Sequence, residues 1–249
     1  MSSRRRLLDS VFKLVAPAVD VDHRPPPVEI AAGVWSLDRR LRMPGGPLLP
    51  SRTTIVRLDG GGLALISAPP AHDETFAAID ALGRVEAIVA PNSFHHLYAG
   101  DSARRYPEAT LYLAPGLQER VAGLPRGIDL ATATPAPEIE RIVLGPVRGI
   151  SEVFLFHRPS RTLVLSDVAF NLVNVARTFD RIAWRAMGVP PRLGPSRTAR
   201  LMLLNDRTAA RAALSGILAW PFERILVAHG EPVRHDARAQ FERGFAAYL

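Results

Sequence analysis

Histidines and carboxylates stand at three places where runs of strand-forming residues give out. RTLVLSD closes on Asp167, RILVAH closes on His229, and VEAIVAP leads into NSFHHLYAGD, which offers Asn92, His95 and His96. A strand end is where a buried sheet opens to solvent, so a side chain there is held rigidly and still reaches a substrate. Imidazole and carboxylate groups gathered from three such ends are the donors of a divalent metal site. The candidate ligands are His95, His96, Asp167 and His229, with Asp167 and His229 the catalytic candidates. Asn92, Glu152 and Ser166 are further pocket candidates, Ser166 as a residue that steadies its neighbour Asp167.

Each candidate has a plainer alternative. His95 and His96 also suit a loop that caps the helix after it, and adjacent side chains point apart, so one of the two is expected to face elsewhere. Asp167 suits a turn carboxylate, His229 a satisfied core histidine, Glu152 a strand carboxylate, and Asn92 after Pro91 a turn or N-cap residue. His23, His72, His157 and His235 are expected at the solvent.

The chain has 249 residues, 47% of them hydrophobic, enough for a sizeable core. It has no cysteine, which excludes disulfides, thiolate catalysis and cysteine-ligated metals. The formal net charge is +7, and Lys13 is the single lysine among 31 basic residues. Those residues are scattered, as in Arg39-Arg40 and Arg104-Arg105, without aromatic interleaving, so a solvated arginine-rich surface is expected rather than a nucleic-acid site.

MSSRRRLLDSVFKLVAPA has a basic start and an apolar stretch like a signal peptide, but Asp9 and Lys13 interrupt it. Leu7, Leu8, Val11, Leu14 and Val15 recur at helical spacing, so residues 1–27 read as an amphipathic helix and a proline-rich connector. Residues 28–249 read as one domain. It opens as an antiparallel sheet, AGVWSLDR and SRTTIVRL, then LALIS after the turn DGGG. A helix at HDETFAAIDALG, the buried strand VEAIVAP and the strand ATLYLAP imply a crossover. SEVFLFHRPSRTLVLSD is a hairpin turning at HRPS. Residues 168 to about 211 are less regular, before a helix in DRTAARAALSGILAWP, the strand RILVAHG and a terminal helix. DGGG joins two strands and lacks the residues of a phosphate loop.

RTTIVRLDGGGLALISAP, PNSFHHLYAG, TLVLSD and ILVAHG together resemble the metallo-β-lactamase fold, and within it the branch designated DUF4336. The resemblance implies an α/β (α+β) architecture, a four-layer αββα sandwich of two mixed sheets flanked by helices, with metals at one edge. It places Asp167 at the superfamily's late Asp and His229 at its final His. The first motif, THxHxDH, falls on PNSFHHL, where Asn92, Phe94 and Leu97 occupy histidine positions and His96 the Asp position. His95 enters the site if the loop is reshaped. The third His position falls near Arg148 and Gly149, with Glu152 nearby.

Four candidate ligands support one metal at best. The reading that follows is a hydrolase-like protein with a reduced, at most mononuclear, metal site, acting on a small ester, lactone or thioester. Asp167 serves as a ligand, or as general base with the ion held elsewhere. The alternative is a catalytically silent member that binds a ligand or partner without metal. The cofactor is accordingly one divalent ion, zinc first, or none. The expected partner is a small molecule, and a cytoplasmic protein without specific nucleic-acid binding or a transmembrane span is expected.

Overall fold

A computed structural model describes residues 19–20, 26–147 and 150–249. The expected N-terminal helix, His23 and the third His position at Arg148 and Gly149 lie outside the described residues. In chain order the strands are β1 (Val19–Asp20), β2 (Val28–Ala31), β3 (Val34–Arg42), β4 (Leu48–Arg57), β5 (Leu63–Ile66), β6 (Val85–Ala90), β7 (Thr110–Leu113), β8 (Ile128–Asp129), β9 (Ile139–Val147), β10 (Ile150–His157), β11 (Thr162–Asn171) and β12 (Arg224–Gly230). The helices are α1 (Asp73–Asp80), α2 (Ala99–Arg105), α3 (Leu117–Arg120), α4 (Thr178–Ala186), α5 (Arg197–Met202), α6 (Arg207–Ile217) and α7 (Ala237–Phe245).

One sheet runs β1-β3-β4-β5-β6-β7-β8, with β2 also on β3, and the other runs β12-β11-β10-β9. Both are mixed. The first is antiparallel up to β5 and parallel from β5 to β8; in the second only β11 and β12 pair in parallel.

Side-chain alternation then sorts the apolar residues into layers. Ala64 and Ile66, Ala87 and Val89, Val153 and Leu155, with Val164 and Leu226, meet between the sheets. The residues one step out of phase face the other way. Leu63, Leu65 and Ile88 pack with Phe76, Ile79 and Leu117 from α1 and α3, while Phe154, Phe156, Leu163 and Ile225 pack with Leu214, Phe241 and Phe245 from α6 and α7. The result is helix, sheet, sheet, helix, the expected αββα sandwich. Strands buried on both faces explain why VEAIVA and VFLF read as unbroken apolar runs.

Several local expectations change. The segment after Val168 contains α4, whose buried Trp184 donates its indole N–H to the Leu48 carbonyl at 2.9 Å. Helices α5 and α6 start at Ser196 and Asp206, whose side chains accept from Ala199 and Ala209. His157 is not at the solvent: it ends a wholly buried strand, and its Nδ1 lies 2.7 Å from the Ser160 hydroxyl. Arg39 and Arg52 are also buried, against the expectation of a solvated arginine surface. Arg52 spans the sheets, gripping Asp38 with two N–H groups and donating to the Val227 carbonyl at 2.7 Å. Among the described residues no helix is long and apolar enough to cross a membrane.

Candidate metal centre

Asp167 does not close its strand, since β11 continues to Asn171. Leu165 pairs with Val227, but the next pair is Phe170 with His229, so β11 carries extra residues opposite a short stretch of β12. A bulge of this kind breaks the alternation and re-aims a side chain, here Asp167. On β12, His229 is placed one residue before Gly230, whose φ of 111° suits only glycine. The third group arrives from the loop after β6. Asn92 Oδ1 accepts from the amides of Phe94 and His95 at 2.8 Å each, an Asx turn that reshapes the loop and brings the His95 ring inward.

His95, Asp167 and His229 converge. The two Nε2 atoms are 3.3 Å apart, His229 Nε2 lies 3.1 Å from Asp167 Oδ1, and His95 Nε2 lies 3.6 Å from the same oxygen. His96 lies outside this group. It is buried, and its Nδ1 sits 2.9 Å from the Ser93 carbonyl.

Neighbouring groups hold His229 and Asp167 in place. His229 Nδ1 is 2.8 Å from the Pro50 carbonyl, which can only accept, so that nitrogen donates and Nε2 is the atom turned towards Asp167. Phe170 stacks on the same ring at 4.9 Å. Asp167 Oδ2 accepts from Asn92 Nδ2 at 2.7 Å, leaving Oδ1 for the histidines. Behind it, the fully buried Glu152 accepts from the amides of Ser166 and Val168, each at 2.9 Å, and from Asn92 Nδ2 at 3.3 Å. Ser166 therefore contributes through its backbone, and Glu152 braces the bulge and Asn92 together.

The electrostatics follow from burial and proximity. Burial raises the Asp167 carboxyl, but His95 and His229 outweigh it and hold the group well below the usual carboxylate range. Burial, reinforced by the charge of Asp167, pushes Glu152 up to about 8 against the pull of its three donors. His95 is lowered by burial, with Asp167 acting in the opposite sense, and His96 is lowered by burial too.

The cluster lies in the wall of a cavity of about 380 Å³, within the ordinary range for small-molecule sites. Leu41, Leu49, Phe94, Phe170, Trp184 and Met202 give it an apolar lining. Arg39 and Ser67 also line it, and neither was singled out among the site candidates. A trace of Arg39 exists in the period of β3, where Leu37, Arg39 and Leu41 share one face and Arg40 takes the other.

Two mixed sheets between helices, with His and Asp side chains at the edge where the sheets meet, define a protein of the metallo-β-lactamase fold. Solved structures agree. The chain is similar to a metallo-β-lactamase from Pontibacter korlensis, at 13% identity and a TM-score of 0.59, covering 88% of this chain and 96% of that one. It is similar to the mono-zinc form of the metallo-β-lactamase FIM-1 from Pseudomonas aeruginosa, at 16% identity, TM-score 0.56, and coverage of 91% and 92%. It is similar also to a diflavin flavoprotein fragment from Nostoc sp., at 12% identity, TM-score 0.62, and coverage of 93% and 97%. Within that fold the chain belongs to the family described as Domain of unknown function (DUF4336), whose model matches residues 32–183. Asn92, His95, Glu152 and Asp167 lie inside that stretch and His229 beyond it. No curated protein matches the sequence.

Proposed function

We propose that this protein is a metal-dependent hydrolase holding one divalent ion, zinc, through His95, Asp167 and His229, and acting on a small ester, lactone or thioester. The spacing of the three donor atoms carries the reading. Ligands about 2.0–2.1 Å from one tetrahedral ion stand roughly 3.3 Å apart, and the three separations here are 3.3, 3.1 and 3.6 Å. The orientation of His229 supports it, because a ring that donates from Nδ1 to Pro50 leaves Nε2 to serve as the metal donor.

When bound, zinc supplies a polarised substrate carbonyl and a water whose pKa falls towards neutrality. The protein's own groups do the rest. Pro50 and Phe170 orient His229, and Asn92 ties up one oxygen of Asp167 so that the other faces the cavity's ligand cluster. The apolar walls exclude water and strengthen every charge interaction inside.

The test is metal analysis of the purified full chain, with ester, lactone and thioester turnover measured with and without chelator. About one zinc per chain and chelator-sensitive turnover are expected, and Asp167→Asn or His229→Gln should lower turnover by about 100-fold or more. Absence of stoichiometric metal together with turnover insensitive to chelator would sink the proposal. A second reading, a ligand-binding protein without chemistry, draws on Phe94 and Leu97, apolar side chains that line the cavity where the fold's motif has histidines. In that case Asp167→Asn with His229→Gln would leave ligand binding intact.

A further inference from the structure

Much of the apolar surface left open on this protein lies in one stretch. Of the eight large apolar side chains exposed among the described residues, five (Val173, Phe179, Ile182, Met187 and Leu201) fall within residues 173–201, which carry α4 and α5. Single exposed apolar residues need no explanation, but a concentration of this kind marks a surface that meets another apolar phase. On α4, Phe179, Ile182 and Ala186 recur at i, i+3 and i+7 and are all exposed, while Asp180 and Trp184 are buried. Ile182 is the most open of the five, at 63%.

The same stretch is basic. Arg177, Arg181, Arg185, Arg192, Arg197 and Arg200 are all exposed. Its one acid, Asp180, is buried, accepts from the Leu48 amide at 3.2 Å and stands 3.5 Å from Arg177. Six arginines against one buried carboxylate select an anionic partner. A second copy of this chain would set like charge on like charge, and so would the residues before β1, where Arg4, Arg5, Arg6 and Lys13 face Asp9 alone in the count. An apolar stripe with arginines along its flank suits a helix lying in the interface of an anionic bilayer.

The patch also adjoins the cavity. Pro44, Leu97, Met187 and Thr198 line the cavity and are exposed, so they form its rim. Met187 and Thr198 belong to the basic stretch, and the Phe179 ring lies beside Gly46, where an added Cβ would stand 3.8 Å from it, in the turn that carries Pro44.

We propose that the face built on α4 and α5 docks the protein on an anionic lipid surface and sets the mouth of the cavity against it. The docking does not depend on the hydrolase reading.

The experiment sediments the full chain with vesicles of phosphatidylcholine, alone or mixed with phosphatidylglycerol. Binding should be at least about 10-fold tighter to the anionic vesicles and should fall between about 0.1 and 1 M salt, as the screening length shrinks from about 10 to 3 Å. Ile182→Ser, which changes no charge, should weaken it about 10-fold or more, and Leu97→Ser, on the rim outside α4 and α5, about 3-fold or more. Arg185→Glu should weaken it about 5- to 30-fold. Arg84→Glu makes the same charge change at the end of β6 away from the site loop and should leave affinity nearly unaltered. All four side chains are exposed, and an unaltered melting temperature checks each fold. No binding to either vesicle, or equal losses in Arg84→Glu and Arg185→Glu, overturns the docking. Binding that survives Ile182→Ser but not Arg185→Glu would mark a face for an acidic protein and overturn it too. Full binding by Leu97→Ser would overturn the placing of the mouth.

Discussion

Asn92 shows how much one uncharged side chain does at this site. Its carbonyl oxygen shapes the loop that carries His95, and its amide joins Asp167 to Glu152. Replacing it by alanine leaves two loop amides and a carboxylate oxygen without partners. Asn92→Ala should therefore destabilise the fold by about 1–3 kcal/mol and weaken zinc roughly 10- to 100-fold. Denaturant unfolding and zinc titration measure the two effects, and wild-type zinc affinity would remove Asn92 from the site. In the sequence Asn92 looked like a turn residue and a lost ligand; it is a turn residue that brings His95 towards Asp167 and His229. That could not be read from PNSFHHLYAG, because an Asx turn and an extended loop share the same residues and differ only in which amides the side chain meets.

At the level of elements, the junction of β11 and β12 sets the geometry. The hairpin from Ser151 to Asp167 and the strand RILVAHG were legible from their apolar runs and turn residues. The bulge was not, because it is defined by how β11 pairs with β12, a strand 60 residues further on. Gly230 closes this junction. A Cβ there would overlap the Asn171 carbonyl, and its φ of 111° is strained for any other residue. Gly230→Ala should cost about 1–3 kcal/mol from backbone strain alone and weaken zinc by displacing His229. Unfolding by denaturant with unaltered midpoint, together with unaltered zinc binding, would contradict this.

For the whole molecule, the four layers bury ionisable groups whose protonation is tied to folding. His157 ends β10 in the second sheet, its imidazole lowered from the ordinary 6.5 by burial despite the pull of Glu138 and Asp59. A folded pKa below the unfolded one means that, as pH falls through 6.5, the unfolded chain gains a proton that the folded chain does not. His157 thus contributes stability at neutral pH that is lost on acidification. Glu152 acts in the opposite sense, since its carboxyl is raised to about 8 and favours folding towards lower pH. The two are separated by comparing wild type with His157→Gln between pH 7 and pH 5. The melting temperature of the wild type relative to the variant should fall as the pH is lowered; a constant gap would show that His157 does not titrate with unfolding.

By itself the sequence determined most of the strands and helices and the neighbourhood of the site. Period-two and unbroken apolar runs require strands buried on one or both faces, and their order requires a crossover, while the stacking of two sheets under helices came from the resemblance to the metallo-β-lactamase fold. Asp167 and His229, each beside such a run, had to come out near a sheet edge. Tertiary structure alone decided which of His95 and His96 turns inward, that Glu152 and Asn92 hydrogen-bond around Asp167, and that Arg39 of the Arg39-Arg40 pair faces the cavity. Apart from the local Asx turn at Asn92, those outcomes depend on hydrogen bonds and pairings between residues 14 to 134 positions apart, and distances of that kind are set only when the sheets close on each other.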